Sequence, residues 1–314
     1  MRKILITGGA GNVGSSLAMA LARDPKTHVV VVDNLLTGCR SKITTNDNLS
    51  FVKADVNNFR SLSTIMLSHH FDYVFHYAAV VGVRRTLENP ISVLEDIDGI
   101  KNVLELSKDT GVKRVFFSSS SEVYGEPVES PQHEETTPLN SRLPYAIVKN
   151  VGEAYFRSYQ KEHGLDYTIF RFFNTYGPNQ TADFVIIRFL KQALRNEPIT
   201  VLGDGSQTRT FCFIEDNIKA TTRALDHNKI INDVINIGND QEITIRELAE
   251  LVKRVTNSNS EIVHLPARKE GDMSSRQPCI KKMRDLVDEP LTSLEAGLQK
   301  TIESIEPKQT VLTP

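Results

Sequence analysis

The N-terminal segment constrains the fold of this chain more than any other. The run "KILIT" (3–7) is apolar and β-branched, and "VGSSLAMALARD" (13–24) has helical periodicity. Gly8, Gly11 and Gly14 make a glycine turn between this strand and this helix. The first N–H groups of a helix have no intrahelical acceptor, and its positive dipole end attracts anions. The segment therefore predicts a turn that holds a ligand phosphate against the start of a helix.

An acidic residue ends the next predicted strand, "HVVVVD" (28–33). Asp33 follows the glycine turn at about the distance, roughly 20 residues, at which a carboxylate accepts hydrogen bonds from adenosine ribose. The carboxylate would repel a 2′-phosphate, so NAD is favoured over NADP. Asp33-Asn34 is also compatible with a simple turn. The spacing Gly-x-x-Gly-x-x-Gly points to a particular branch of dinucleotide-binding enzymes.

Further strands and helices alternate along the first half of the chain, with strands predicted at 50–55, 72–78, 113–119 and 166–173. Several are apolar without alternation, as in strands covered on both faces. Repeated βα units predict an α/β protein with a Rossmann-type, doubly wound parallel sheet.

The pattern of alternating strands and helices changes after Pro178, which predicts that the chain has two parts. We expect a cofactor-binding domain over residues 1–177 and a smaller C-terminal substrate-binding lobe over residues 178–314. The run "DVINIGN" resembles the strands of the first half, so residues 230–242 are expected to return to the main sheet.

Composition and charge argue against several kinds of partner. The net charge is −2 and the basic residues are scattered, whereas nucleic acid and anionic membranes need a concentrated basic surface. No apolar run approaches the ~18–20 residues that span a bilayer. Cys39, Cys212 and Cys279 are widely separated, and neither they nor the histidines show a metal-ligand spacing. No metal is predicted, and a cytoplasmic location with reduced thiols is expected.

Two segments carry candidate catalytic groups. "FFSSSSEVYG" (116–125) ends a strand in serines, at the carboxyl edge where parallel sheets bind ligands. In "LPYAIVKN" (143–150), Tyr145 and Lys149 lie four positions apart, which on a helix places a phenol and an ammonium on one face. A neighbouring cation favours the phenolate. The alternatives are a hydrogen-bonded serine turn and a lysine that snorkels at a helix surface.

Together these motifs resemble the extended short-chain dehydrogenase/reductase family, specifically its NAD-dependent nucleotide-sugar epimerases, dehydratases and decarboxylases. The resemblance covers nearly the whole chain. It rests on segments that occur in the family's order: "TGGAGNVG", "VVDNLLTG", "KADV", "FHYAA", "SSSSEVYG", "PYAIVK", "RFFNTYGP", "GDGSQTRTF" and "NIGN".

The resemblance implies roles for the candidate catalytic residues. Ser120 would supply the catalytic hydroxyl, and Tyr145 would be the general base for the C4 hydroxyl of the sugar. Lys149 would bind the nicotinamide ribose and, with oxidised NAD, lower the pKa of the tyrosine. Glu122 is either a further catalytic carboxylate or a hydrogen-bonding partner of its own loop. Asp96 stands where the family commonly has an asparagine that contacts the cofactor.

The resemblance also implies the ligand contacts. NAD would contact Gly8, Gly11, Asn12, Val13, Gly14, Asp33, Asn34, Asp55, Val56, Ala78, Ala79, Tyr145 and Lys149. A nucleoside diphosphate sugar, with UDP expected, would contact Ser120, Tyr145, Asn174, Arg188, Arg209 and Arg276. Guanidinium groups suit this role because their planar fork matches two phosphate oxygens. Arg188 is equally compatible with a solvated helix face.

Several functions fit these residues. The segment "HEETTPLNSRLPYAIVK" resembles the epimerases, so we predict a 4-epimerase that acts on a UDP-hexose through a 4-keto intermediate. "SSEVYG" and "GSQTRTF" resemble UDP-glucuronate decarboxylases, which are the alternative. A 4,6-dehydratase is less favoured, because Ser121-Glu122 replaces the usual Asp-Glu pair. The non-enzyme alternative is an NAD-binding sensor or scaffold. The family also implies a homodimer through helices near 92–109 and 145–162.

Overall fold

The computed structural model describes residues 1–227, 229–267 and 273–305. Its strands are β1 (Arg2–Thr7), β2 (Thr27–Asp33), β3 (Leu49–Lys53), β4 (Tyr73–His76), β5 (Arg114–Ser120), β6 (Asp166–Phe172), β7 (Thr175–Tyr176), β8 (Ile199–Leu202), β9 (Thr208–Thr210), β10 (Cys212–Phe213), β11 (Asp233–Ile237), β12 (Glu242–Thr244) and β13 (Ile262–Leu265). Its helices are α1 (Asn12–Leu21), α2 (Phe59–His69), α3 (Val83–Glu88), α4 (Pro90–Leu94), α5 (Asp96–Asp109), α6 (Pro144–His163), α7 (Val185–Leu194), α8 (Ile214–Asp226), α9 (Ile245–Val255), α10 (Lys281–Leu286) and α11 (Leu294–Ile305).

Seven strands form one parallel sheet in the order β11-β6-β5-β4-β1-β2-β3. The chain starts at the centre and winds outward in both directions, so the predicted doubly wound α/β fold is confirmed. Strand β11 pairs in parallel with β6, with Val234 opposite Ile169. The second half of the chain therefore contributes an edge strand to the sheet built by the first.

Both faces of the sheet are covered by hydrophobic side chains. Ile4 and Ile6 of β1 belong to one buried cluster, whereas Leu5 between them belongs to the other. The valines of β2 divide in the same way. Successive side chains of a strand point to opposite faces, so an uninterrupted apolar run is what a doubly covered strand requires.

Two strands of the main sheet end earlier than the sequence predicts. Strand β3 stops at Lys53 instead of residue 55, and β4 stops at His76 instead of residue 78. In both places the chain leaves the sheet at its carboxyl edge, and Asp55 and Ala78 become walls of a cavity there. The strand-like runs therefore end in ligand-facing loops.

The second half of the chain also forms short two-stranded sheets and further helices. Strand β8 pairs with β13, β9 with β12 and β10 with β7. Helix α9 begins with a capping box, in which Thr244 Oγ1 accepts the Glu247 N–H at 3.1 Å and Glu247 Oε2 accepts the Thr244 N–H at 2.9 Å. Each of these two residues thus accepts a backbone N–H of the other that would otherwise have no partner at the start of the helix. None of the helices in the described residues is both long enough and apolar enough to cross a membrane.

Candidate functional site

A cavity of about 430 Å³ opens at the carboxyl edge of the main sheet. It brings together residues that are far apart in the sequence. The predicted site residues that line it are Gly8, Gly11, Asn12, Val13, Gly14, Asp33, Asn34, Asp55, Val56, Ala78, Ala79, Ser120, Glu122, Tyr145, Lys149, Asn174 and Arg276. Arg188 and Arg209 are not among the described residues of its lining, so their contact with a diphosphate stays a prediction.

The glycine turn forms one end of the cavity. Gly8 has a φ of +67°, and a Cβ there would lie 2.5 Å from the backbone nitrogen of Ala78. A Cβ on Gly14 would lie 2.5 Å from the carbonyl oxygen of Gly8. Gly11 differs, because a Cβ there would meet only the Gly8 carbonyl oxygen, at 3.2 Å, and would otherwise project into open space. Two of the glycines are therefore required by close backbone packing, and the third keeps the start of α1 accessible.

Asp33 closes the same end of the cavity from the end of β2. Its side chain is buried, and Oδ2 accepts the backbone N–H of Ala10 at 2.9 Å while Oδ1 accepts that of Leu35 at 2.7 Å. The Leu35 bond is an Asx turn, and Leu35 has a φ of 66°. The Asx turn is therefore compatible with a contact between Asp33 and a ligand in the cavity, because each carboxylate oxygen can accept a second hydrogen bond.

Ser120, Tyr145 and Lys149 meet in the middle of the cavity. Ser120 is the last residue of β5, and its Oγ accepts the Glu122 N–H at 3.2 Å. Tyr145 is the second residue of α6, and the Lys149 ammonium lies 5.6 Å from the centre of its ring. Only 2% of the Lys149 surface is exposed. The alternative of a lysine that snorkels into solvent is therefore wrong.

The electrostatics of Tyr145 differ from the expectation. Burial raises the pKa of the phenol well above its ordinary value, and the Glu122 carboxylate raises it further. A hydrogen bond with the Ser120 side chain and the charge of Arg276 lower the pKa, but not enough to offset burial. The phenol is therefore held in its protonated form in the polypeptide alone, and the lowering of its pKa by Lys149 and oxidised NAD stays a prediction.

Glu122 and Arg276 face each other beside this centre. The Arg276 Nη1 lies 3.6 Å from Glu122 Oε1, and both side chains are largely buried. Arg276 also donates through Nε to the sulfur of Met273 at 3.2 Å. The pair thus places a carboxylate and a guanidinium at the wall of the cavity next to Tyr145.

A buried ion pair fixes helix α6 against the sheet. Glu153 lies one helical turn beyond Lys149 and is completely buried. Arg171 of β6 donates through Nε to Glu153 Oε1 at 2.9 Å and through Nη2 to Oε2 at 2.8 Å. The Ser119 hydroxyl donates to Oε1 at 2.7 Å. Because Ser119 precedes Ser120, this network links the helix that carries Tyr145 to the strand that carries the serine.

Among the residues that line the cavity and were not predicted from the sequence are Arg85, Asp183 and Phe184. Arg85 of α3 and Asp183, before α7, form an ion pair of 3.5 Å between two walls of the cavity. Phe184 is a partly exposed aromatic residue beside them. Arg85 belongs to "VVGVRR", which directly follows "FHYAA", and this position could have indicated it; no sequence signal indicated that Asp183 lies opposite it.

The described part of the chain contains no group of His, Cys, Asp or Glu side chains that could hold a metal ion. Its three cysteines are free.

Asn174, a predicted substrate contact, already makes a hydrogen bond within the protein, because its Nδ2 donates to the carbonyl oxygen of Thr210 at 2.9 Å.

Comparison with known proteins identifies the family. A model of the NAD dependent epimerase/dehydratase family matches residues 4–238. The UDP-N-acetyl-alpha-D-glucosaminuronate decarboxylase of Bacillus cytotoxicus is 36% identical over 96% of this chain and 97% of its own length.

Two solved structures support the assignment. The UDP-glucose 4-epimerase of Thermotoga maritima with UDP-glucose is 34% identical, with a TM-score of 0.91 over 96% of this chain and 98% of that one. The UDP-glucuronic acid 4-epimerase of Bacillus cereus in complex with UDP-glucuronic acid and NAD is 31% identical, with a TM-score of 0.88 over the same shares. The resemblance seen in the motifs is thus confirmed, and this chain belongs to the NAD-dependent epimerase/dehydratase family.

Proposed function

We propose that this protein is an NAD-dependent nucleotide-sugar 4-epimerase that acts on a UDP-hexose through a 4-keto intermediate. The observation that carries the proposal is that Ser120, Tyr145 and Lys149 line the same cavity as the glycine turn and Asp33. A dinucleotide that lay along this cavity would present its reactive ring to the phenol. Relatives named as epimerases support the proposal.

The residues present fit NAD. Gly11 leaves the start of α1 open to the cavity, where unpaired N–H groups suit a pyrophosphate. Asp33 and Asn34 would hold the adenosine ribose, and Asp55 and Val56 would border the adenine. Ala78 and Ala79 are small enough for the cofactor to pass closely, and Lys149 would hold the nicotinamide ribose. NAD, when bound in its oxidised form, supplies a hydride acceptor and a positive charge.

The chain's own residues would then move the proton. The Ser120 hydroxyl would orient the C4 hydroxyl of the sugar, and Tyr145 would take its proton once a positive charge has lowered the phenol's pKa. Asn174 and Arg276 would hold the diphosphate, and Arg188 and Arg209 remain candidates for the same role. Return of the proton and hydride to the other face of the rotated keto-sugar gives the epimer. No carboxylate is needed for these steps.

We also propose which parts of the chain bind the cofactor and the substrate. Residues 1–177 together with 230–242 would bind the cofactor, and the rest of 178–314 would bind the substrate. A cytoplasmic location is in keeping with the free thiols.

A second candidate is a nucleotide-hexuronate decarboxylase, which the contact between Glu122 and Arg276 favours. A guanidinium in the cavity could bind the C6 carboxylate, and oxidation at C4 would turn that group into a β-keto acid that loses carbon dioxide. The loss of carbon dioxide leaves an enolate whose C5 must take up a proton, and Glu122 would then be the proton donor. The similarity to the Bacillus cytotoxicus decarboxylase supports this candidate as well.

Product analysis separates the candidates. The purified protein with NAD is incubated with UDP-glucose, UDP-N-acetylglucosamine and UDP-glucuronate, and the products are resolved by chromatography and mass spectrometry. A product of unchanged mass with inverted C4 is expected. Loss of carbon dioxide would establish the decarboxylase, and loss of water a 4,6-dehydratase. Tight NAD binding with no product from any nucleotide sugar would favour a sensor and contradict the proposal.

We also propose a homodimer through α4, α5 and α6. Exposed apolar side chains occur on two of these helices: Ile91 is 74% exposed, and Leu94 and Ile147 are also exposed. Such residues on neighbouring helices favour a self-association surface. The double change Ile91→Asp and Ile147→Asp is expected to convert a dimer into a monomer, as measured by light scattering. Phe59→Asp, on the exposed face of α2, is the control and should leave the mass unchanged. A monomeric wild-type protein contradicts this prediction.

A further inference from the structure

Glu242 joins the two chain segments that carry Arg209 and Arg276, the arginines expected to bind the substrate diphosphate. It is the first residue of β12. Its Oε1 accepts the Thr208 hydroxyl at 2.8 Å and the Ser275 hydroxyl at 2.9 Å. Thr208 directly precedes Arg209, and Ser275 directly precedes Arg276. One carboxylate oxygen therefore bridges the residues next to both arginines.

The pairing of β9 with β12 explains why Glu242 can reach Thr208. The two strands are antiparallel, with Glu242 opposite Thr210. Alternate side chains of a strand share one face, so the side chains of Thr208 and Thr210 lie on the same face as that of Glu242. Arg209, between the two threonines, is directed to the other face, and only 8% of it is exposed. Glu242 therefore contacts β9 on the face opposite to the arginine side chain.

Further contacts transmit the position of the bridged segments to the arginines. Arg209 donates through Nη1 to the carbonyl oxygen of Thr208 at 2.7 Å, so its guanidinium follows the position of that peptide group. The Thr208 N–H donates to the carbonyl oxygen of Ser274 at 3.1 Å, which is a second link between the two segments. Arg276 is buried and lines the cavity. Loss of the Glu242 bridge is therefore expected to change the placement of the two guanidinium groups relative to each other.

We infer that Glu242 is a positioning residue that holds Arg209 and Arg276 at the spacing that a substrate diphosphate requires. The inference rests on the proposed function, because it takes both arginines as diphosphate ligands. Glu242 is not among the described residues that line the cavity, so it acts through the two hydroxyl groups. Guanidinium groups bind phosphate oxygens through a rigid planar fork, and the affinity therefore depends on where each fork is held.

The test is the affinity of the NAD-loaded protein for UDP, measured by isothermal titration calorimetry. Saturating NAD keeps the dinucleotide site filled, so that UDP reports on the substrate site. Glu242→Ala is expected to raise the Kd for UDP roughly 5–10-fold, the effect of one or two hydrogen bonds. Glu242→Gln keeps an acceptor oxygen for both hydroxyls and should bind UDP within about twofold of the wild-type protein. Equal losses of affinity in the two variants would overturn the inference, because the hydrogen bonds would then not carry the effect.

A double-variant cycle shows whether Glu242 acts through the arginines. Arg276→Ala is expected to weaken UDP binding by itself. In that background Glu242→Ala should weaken binding less than it does in the wild-type protein, since residues that act as a unit are not additive. A structural role elsewhere in the fold would give equal effects in both backgrounds, and that result would overturn the inference.

Asp204→Ala is the matched control. Asp204 Oδ1 also accepts a serine hydroxyl, that of Ser206 at 2.7 Å, but within its own turn before β9. This variant should leave the Kd for UDP unchanged. Thr208→Val combined with Ser275→Ala removes both donors and leaves Glu242 in place. It should weaken UDP binding as Glu242→Ala does, which keeps the test valid if the alanine variant does not fold.

UDP binding requires no turnover, so the inference and the proposed function can fail separately. Equal Kd values for the wild-type protein, Glu242→Ala and the variant without the two hydroxyls would overturn the inference, even in an enzyme that epimerises sugars. Weaker binding by these variants supports it, even if no nucleotide sugar is converted. A wild-type protein that does not bind UDP would overturn both.

Discussion

Replacing Tyr145 with phenylalanine is expected to reduce kcat by ~10²–10⁴-fold, the usual contribution of a positioned acid–base group, and to leave the affinity for NADH almost unchanged. The substitution removes only the hydroxyl that meets Ser120, while the ring beside Lys149 remains. The residues expected to hold the adenosine half of the cofactor lie at the other end of the cavity. Steady-state kinetics give the first quantity and NADH fluorescence gives the second. The chain has no tryptophan, which keeps the fluorescence background low.

Tyr155→Phe is the matched control for this experiment. Tyr155 lies on the same helix but packs against the hydrophobic core instead of lining the cavity. Its loss of a hydroxyl should leave kcat within a few-fold of the wild-type value. Retention of turnover in Tyr145→Phe would show that another group accepts the proton. Loss of NADH binding in that variant would show instead that the phenol supports the architecture of the cavity.

The features of this cavity that could be predicted from the sequence depend on local patterns. Gly8 and Gly14 follow a strand and precede a helix, and such a turn needs residues without side chains whatever the distant surroundings are. The spacing of Tyr145 and Lys149 places them on one helical face in any fold. The carboxyl edge of a parallel sheet then brings their helix close to Ser120.

The electrostatics were not predictable in the same way. The spacing of Tyr145 and Lys149 suggested that the cation would lower the phenol's pKa, but the depth of burial and the approach of Glu122 and Asp96 depend on tertiary packing. Both effects raise the pKa. Glu153 offered a signal that was missed, because it continues the buried face of Tyr145 and Lys149 by one more turn. A carboxylate on a core-facing position requires a buried partner, although the sequence does not say which one.

That partner is Arg171, and disruption of the pair is expected to have the largest effect on stability. Glu153→Gln leaves the guanidinium, which is 2% exposed, without a counter-charge. Removal of one member of a buried pair usually costs about 3–5 kcal/mol of unfolding free energy. Burial opposes ionisation of Glu153, but the bonds from Arg171 and Ser119 hold its pKa below the ordinary 4.5. The ion pair therefore contributes fully above pH 4.5, and its contribution decreases as the pH falls through the lowered pKa of the folded protein.

Urea unfolding at neutral pH measures the effect, and the chain provides a matched control on the same carboxylate. Arg157 also contacts Glu153 Oε2, at 2.9 Å, but its side chain is 44% exposed. Arg157→Gln should cost no more than about 1 kcal/mol, because solvent screens an exposed partner. The double variant Glu153→Leu with Arg171→Met removes both charges and should be more stable than Glu153→Gln. If Glu153→Gln and Arg157→Gln destabilised the protein equally, burial of the Arg171 pair would not be what anchors α6 to the sheet.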